Sequence, residues 1–234
     1  MGKNAIKFML IGALWIFSAA AAQRQDINIT ASQPTHYFYT PMARVNPPYH
    51  LVASLHELSF SLPGNLQLQA SLFDNIGRVD FGAKYGIQDN LSVGVGLAHS
   101  ILHMSRNGVH GIGKDDNRLG AYLCYCFVKN PTFEAAVTPH TQLFGLSNSL
   151  GCDIGGMVTP NEFWSFIWEF GTSLDVQSGL FYFNTDGGLR VHPPSIPFLS
   201  FDGGIDVQEF AVNADHPGTT AAVYIDAIFA MVAK

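Results

Sequence analysis

Glu162-Phe163-Trp164-Ser165-Phe166-Ile167-Trp168-Glu169-Phe170-Gly171-Thr172-Ser173-Leu174 decides how this chain is read. Counted in twos, Trp164, Phe166, Trp168 and Phe170 share one face, while Ser165, Glu169 and Ser173 lie opposite. A period of two belongs to a strand, because successive side chains leave opposite sides of the pleat. The same alternation spreads outward from here. Leu91, Val93, Val95 and Leu97 alternate with Ser92, Gly94, Gly96 and Ala98, and Val79, Phe81, Ala83, Tyr85 and Ile87 with Asp80, Gly82, Lys84, Gly86 and Gln88. Phe133, Ala135, Val137 and Leu143 oppose Glu134, Thr138, His140 and Gln142; Leu199, Phe201, Ile205 and Val207 oppose Ser200, Asp202, Gly204, Asp206 and Gln208. Turn residues punctuate the strands at Pro63-Gly64-Asn65, Asp74 to Gly77, Gln88-Asp89-Asn90, Lys129-Asn130-Pro131, Thr159-Pro160-Asn161 and Pro193-Pro194-Ser195. Longer loops are expected near 102–116 and 211–218, and a Pro-rich connection at 44–48.

Composition agrees with an all-β chain of unusual surface. Of 234 residues 47% are hydrophobic and 13% charged, against about 25% charged in an ordinary soluble domain. Gly 23, Phe 18 and Tyr 8 against 12 Lys plus Arg favour strands over surface helices. Past the first two dozen residues no run reaches the roughly 18 apolar residues of a spanning helix. A formal charge of -6 without any Lys/Arg-rich run removes the footprint that nucleic-acid binding needs. Lys3 and Lys7, the apolar run Phe8 to Phe17 and the Ala20-x-Ala22 site have the form of a secretory signal peptide at residues 1–22, the alternative being an uncleaved anchor. Cleavage there removes two lysines and no acid, leaving one domain, 23–234, with 10 basic against 18 acidic residues and a charge of -8.

Two all-β architectures alternate regularly: a sandwich with its apolar faces in, and a membrane barrel with its apolar faces out. Segments of about 10 to 14 residues exceed the usual five or six of a soluble strand and match tilted spanning strands. The aromatic row at 164–170 would then face lipid, whereas in a sandwich it would be core. Strands are expected at about 50–61, 65–73, 78–88, 90–101, 117–129, 132–144, 147–158, 162–174, 180–192, 198–210 and 219–233. That is eleven, and bacterial single-chain barrels have even numbers. With short turns on the periplasmic side, 50–61 begins outside, so His36 to Thr40 is expected to supply a preceding strand. The expectation is a closed antiparallel up-and-down transmembrane β-barrel of about twelve strands, or ten if the weakest pairs fail.

Lys84-Tyr85-Gly86-Ile87-Gln88-Asp89-Asn90-Leu91-Ser92-Val93-Gly94-Val95-Gly96-Leu97 resembles the strand-turn-strand idiom of Gram-negative outer-membrane β-barrel, porin-like proteins. The pattern covers most of residues 35–233. The resemblance implies an outer-membrane location, contact with outer-membrane lipid and passage of small solutes or ions without a cofactor. If apolar alternates face lipid, the lumen is lined by Asp80, Lys84, Glu134, His140, Asp153, Glu169, Asn184, Asp186, Arg190, His192, Asp202, Asp206, Tyr224 and Asp226. Eight carboxylates against Lys84 and Arg190 would concentrate cations. The same groups could instead form a satisfied network that plugs a narrow barrel.

Enzymatic readings are weaker. His99-Ser100 and His103-Met104-Ser105 could pair near an outer rim as in a lipid hydrolase, but no nucleophile elbow surrounds them and adjacent strand residues face opposite sides. His103, His110 and Asp115 could suggest a loop metal site, with solvated loop histidines as the plainer reading. Cys124, Cys126 and Cys152 lack His partners at ligand spacing and read as small apolar residues, with no disulfide framework. The chain is therefore expected to be a non-enzymatic channel or a structural barrel.

Overall fold

A computed structural model describes residues 41–54, 57–71, 78–100, 103–105, 108–110, 117–143, 148–196, 198–211 and 220–232. Within them the strands are β1 (His50–Ala53), β2 (Leu58–Leu62), β3 (Leu66–Ser71), β4 (Arg78–Gln88), β5 (Leu91–Ser100), β6 (His103–Ser105), β7 (Gly108–His110), β8 (Asn117–Asn130), β9 (Phe133–Leu143), β10 (Ser149–Val158), β11 (Trp164–Asp175), β12 (Phe181–Val191), β13 (Leu199–Ala211) and β14 (Thr220–Val232). Twelve of them close a ring in the order β1-β14-β13-β12-β11-β10-β9-β8-β5-β4-β3-β2, with antiparallel neighbours throughout, and β6 and β7 form a small separate hairpin inside the expected 102–116 loop. Closure leaves no sheet edge, so the ladder satisfies the backbone groups without water.

The strand count agrees with the sequence, but the strands differ. His36 to Thr40 and the signal segment 1–22 lie outside the described residues, and the ring closes without either. Its twelfth member comes from the expected 50–61 strand, which breaks into β1 and β2 with Ala53 opposite Leu58. The break is stapled by Ser54, whose N–H donates to the Glu57 carbonyl at 2.7 Å and whose hydroxyl accepts from the Glu57 N–H at 2.9 Å. No Gly, Pro or Asn marks that turn, which is why alternation runs through it unbroken. β1 then pairs with β14 on its other side, Val52 opposite Ala230.

Asp74 to Gly77 lies outside the described residues; the turns at 63–65, 129–131 and 159–161 act as expected. Gly64 (φ 83°) and Asn65 (φ 60°) turn β2 into β3 in the left-handed region these residues tolerate. The Asn130 side-chain oxygen accepts the N–H groups of Thr132 and Phe133 at 3.1 and 2.8 Å, and that of Asn161 accepts those of Phe163 and Trp164 at 2.9 and 3.2 Å.

The two faces of the wall sort by polarity. Outside lie Phe81, Tyr85, Val95, Leu123, Phe127, Ile154, Phe166, Phe170, Leu189, Ile205 and Ile225, with Val223 76% exposed. Trp168 packs over the bare backbone of Gly156, and Phe170 meets Phe183 edge to face at 4.3 Å. Such a continuous apolar belt would be an aggregation surface in water and is the surface a spanning barrel presents to lipid. Inside, Gln67, Lys84, Ser92, Glu134, Thr138, Ser165, Glu169, Asp186, Arg190, Asp202, Asp206 and Asp226 are buried.

Candidate functional site

The barrel interior holds the polar residues and divides into two regions. Between β11 and β14 two cross-strand rows face inward. Ser165 stands opposite Arg190, Arg190 opposite Asp202 and Asp202 opposite Asp226. Four residues along each strand, Glu169 stands opposite Asp186 and Asp186 opposite Asp206. Arg190 answers Asp202 with a two-pronged pair: Nε donates to Oδ1 at 2.8 Å and Nη2 to Oδ2 at 2.7 Å, both side chains fully buried. The Tyr224 hydroxyl donates to Asp226 at 3.3 Å. No donor among the described groups reaches either oxygen of the Asp186 carboxylate, which is 5% exposed and faces Glu169 and Asp206. The two rows line this side of the interior with carboxyl oxygens.

The second region is built around the chain segment 41–46, for which the sequence suggested only a connecting loop. It enters the barrel. Met42 and Ala43 are 0% and 1% exposed and pack in one apolar cluster with Cys124 and Cys126 of β8, Ala136 of β9, Ile167 of β11 and Tyr224 of β14, with Tyr122 and Met157 against it. The Cys124 thiol donates to the Pro41 carbonyl at 3.1 Å, Arg44 lies 3.8 Å from Glu134, and Val45 covers Gly86, whose added Cβ would sit 3.2 Å from its methyl carbon. Its signal was missed because Pro41 to Asn46 has no periodicity and, running into Pro47-Pro48, reads as a surface linker. Met and Ala beside Arg are the sole hint that it packs.

The sequence-assigned residues fall into place as follows. Lys84 is fully buried, in the field of Glu57, Glu134 and Arg44. His140 lies over Gly151 with its Nε2 3.2 Å from Asp153, and Asn184 and Asp153 converge on the space that a side chain at Gly171 would fill. Asp80 sits part-buried on β4, far along the strand from Lys84. His192 belongs to the turn after β12, where its N–H donates to the Phe163 carbonyl at 2.6 Å; burial, then the neighbouring Arg190, pushes its pKa down to about 4. Arg44 and Glu57 are charged neighbours that strand parity did not assign to the interior; one base and one acid, they leave the expected excess of acids over bases unchanged.

Cys124 and Cys126 are buried and Cys152 part-buried, all three as free thiols. Among the described residues no three acidic, His or Cys side chains converge to hold a metal ion. His103 stands opposite His110 in the small hairpin, but Asp115 and the side chains of His99, Ser100, His103, Ser105 and His110 lie outside the described residues.

Neither a protein-family model nor a curated protein matches the sequence. Solved structures do. The NanC porin aligns with a TM-score of 0.52 at 13% identity, over 77% of this chain and 97% of that one. An anion-selective porin from Comamonas acidovorans gives 0.42 at 10% identity, over 80% and 60%, and a Rh. blastica porin mutant gives 0.40 at 13% identity, over 78% and 56%. At such identities likeness speaks of fold, and by its closed antiparallel ring, apolar outer belt and overlap with the NanC porin the chain has the fold of the outer-membrane porins.

Proposed function

We propose that the protein is a passive, cofactor-free channel of the outer membrane whose wall favours small cations. The observation that carries this reading is the inward ladder Glu169, Asp186 and Asp206 beside Asp202 and Asp226, with Arg190 engaged by Asp202. A permeating cation meets oxygens there and a permeating anion meets like charge. In this reading the apolar belt contacts outer-membrane lipid, and residues 1–22 direct the chain across the inner membrane and are removed.

Reversal potentials across a planar bilayer under a salt gradient test it. Cation preference at neutral pH is expected, weakened on acidification as the lining carboxylates take up protons and lose their charge. Neutralising Glu169, Asp186 and Asp206 together should reduce it measurably without leaving Arg190 unpaired. An anion-selective pore would overturn the assignment.

A further inference from the structure

We infer that Pro41 to Asn46 is an intramolecular plug: the strap closes the narrowest part of the lumen, and its displacement is what admits ions. The inference rests on the channel reading above and adds how that channel is closed. In the ring order, β8 and β14 have five strands between them on either side, so they face each other across the barrel. Cys124 and Cys126 of β8 and Tyr224 of β14 nevertheless belong to one apolar cluster, and Met42 and Ala43 are the part of it that belongs to no wall strand. Packing that reaches from one wall to the opposite wall through this segment sets the strap across the lumen at that level.

Size supports this. Twelve strands about 4.8 Å apart, tilted by about 40°, make a backbone ring roughly 24 Å across, and inward side chains of about 6 Å per wall leave roughly 12 Å. An extended chain with its side chains occupies about 10 Å, the spacing of stacked sheets. One strap therefore spans most of the opening along its side-chain direction, and Tyr122, Met157 and Tyr224 pack beside it.

Its attachments are separable from the wall's own. The strap is tied by the Cys124 thiol to the Pro41 carbonyl at 3.1 Å and by Arg44 to Glu134 at 3.8 Å, and Val45 rests on Gly86. None of these is a ladder bond, so the ring closes through β1 and β14 whether or not the strap is seated. The wall's ladder closes without the strap, which is held by these side-chain contacts together with an isolated backbone bridge at Pro41.

The test is conductance of the full-length protein in a planar bilayer, wild type against a variant with residues 41–46 replaced by a Gly-Ser stretch of equal length. In a Cys126→Ser, Cys152→Ser background the same pair is labelled at Cys124 with a charged, water-soluble methanethiosulfonate. The variant should conduct several-fold more than wild type, and Cys124 should label faster. Unchanged conductance overturns the inference, even if labelling rises, because the wall itself would then close the path. Increased conductance carried by anions keeps the plug and overturns the cation reading instead. Should the replacement lose the folded barrel, Arg44→Glu, which sets like charge against Glu134, carries the same test with the strap backbone intact.

Discussion

Arg190 carries the sharpest stability prediction. Its guanidinium makes two bonds to Asp202, at 2.8 and 2.7 Å, with side chains 1% and 0% exposed. Charge-assisted bonds contribute about 1.5–3 kcal/mol each, and breaking a buried ion pair from one side costs about 3–5 kcal/mol because the other charge stays desolvated. Arg190→Met keeps the aliphatic length and strands the Asp202 carboxylate opposite Asp226. Like charge across the strand pair pushes the cost toward the upper end, about 4–5 kcal/mol. Arg190→Met with Asp202→Leu removes both charges and should recover most of that loss, to within about 1 kcal/mol of wild type. Reversible urea unfolding from lipid vesicles, followed by Trp164 and Trp168 emission, measures all four corners of the cycle. If Arg190→Met cost less than about 1 kcal/mol, or the two changes simply added, the pair would not be the buried unit described.

Two further outcomes follow from the faces and the turns. Arg at Ile225, 67% exposed near the middle of β14, should cost about 2–4 kcal/mol, whereas Arg at Phe166, three residues into β11, should cost about 0–1 kcal/mol, since the penalty depends on depth; equal costs in the same urea assay would refute the placement of the belt. His192, outside the strands, sits near 4 when folded against an ordinary 6.5, so the folded state resists a proton that the unfolded chain accepts. Its contribution to stability is complete above about pH 6.5 and is lost as pH falls toward about 4, with Arg190 and Arg44 opposing its charge and Asp202 favouring it. His192→Gln should flatten that part of the stability curve, and an unchanged slope between the two values would show that His192 does not control it.

Strand identity and facing were legible in the residues themselves. Alternation at 162–174 placed Trp164, Phe166, Trp168 and Phe170 together, and they lie outward, because the period of two is a local steric property that any neighbour must accept. The inward acids follow from the same parity. Depth did not follow: alternation says nothing of level, and Phe166 lies close to the end of β11, since the start of a strand depends on turn bonds such as those of Asn161.

Tertiary structure alone decided three things. The first is which segment completes the ring: the 50–61 stretch doubles back at Ser54 to Glu57, a turn made by a hydroxyl and a backbone bond instead of by Gly or Pro. The second is which acid Arg190 answers, because Asp202 and Asp206 have the same parity and only the β12–β13 register brings Asp202 opposite. The third is the strap. Pro41 to Asn46 has no period of its own, and its burial comes from wall residues more than 80 positions later in the chain, as Cys124 to Pro41 shows. A pattern within one segment records the faces of that segment, whereas what fills the space between walls depends on groups that become neighbours only when the ring has closed.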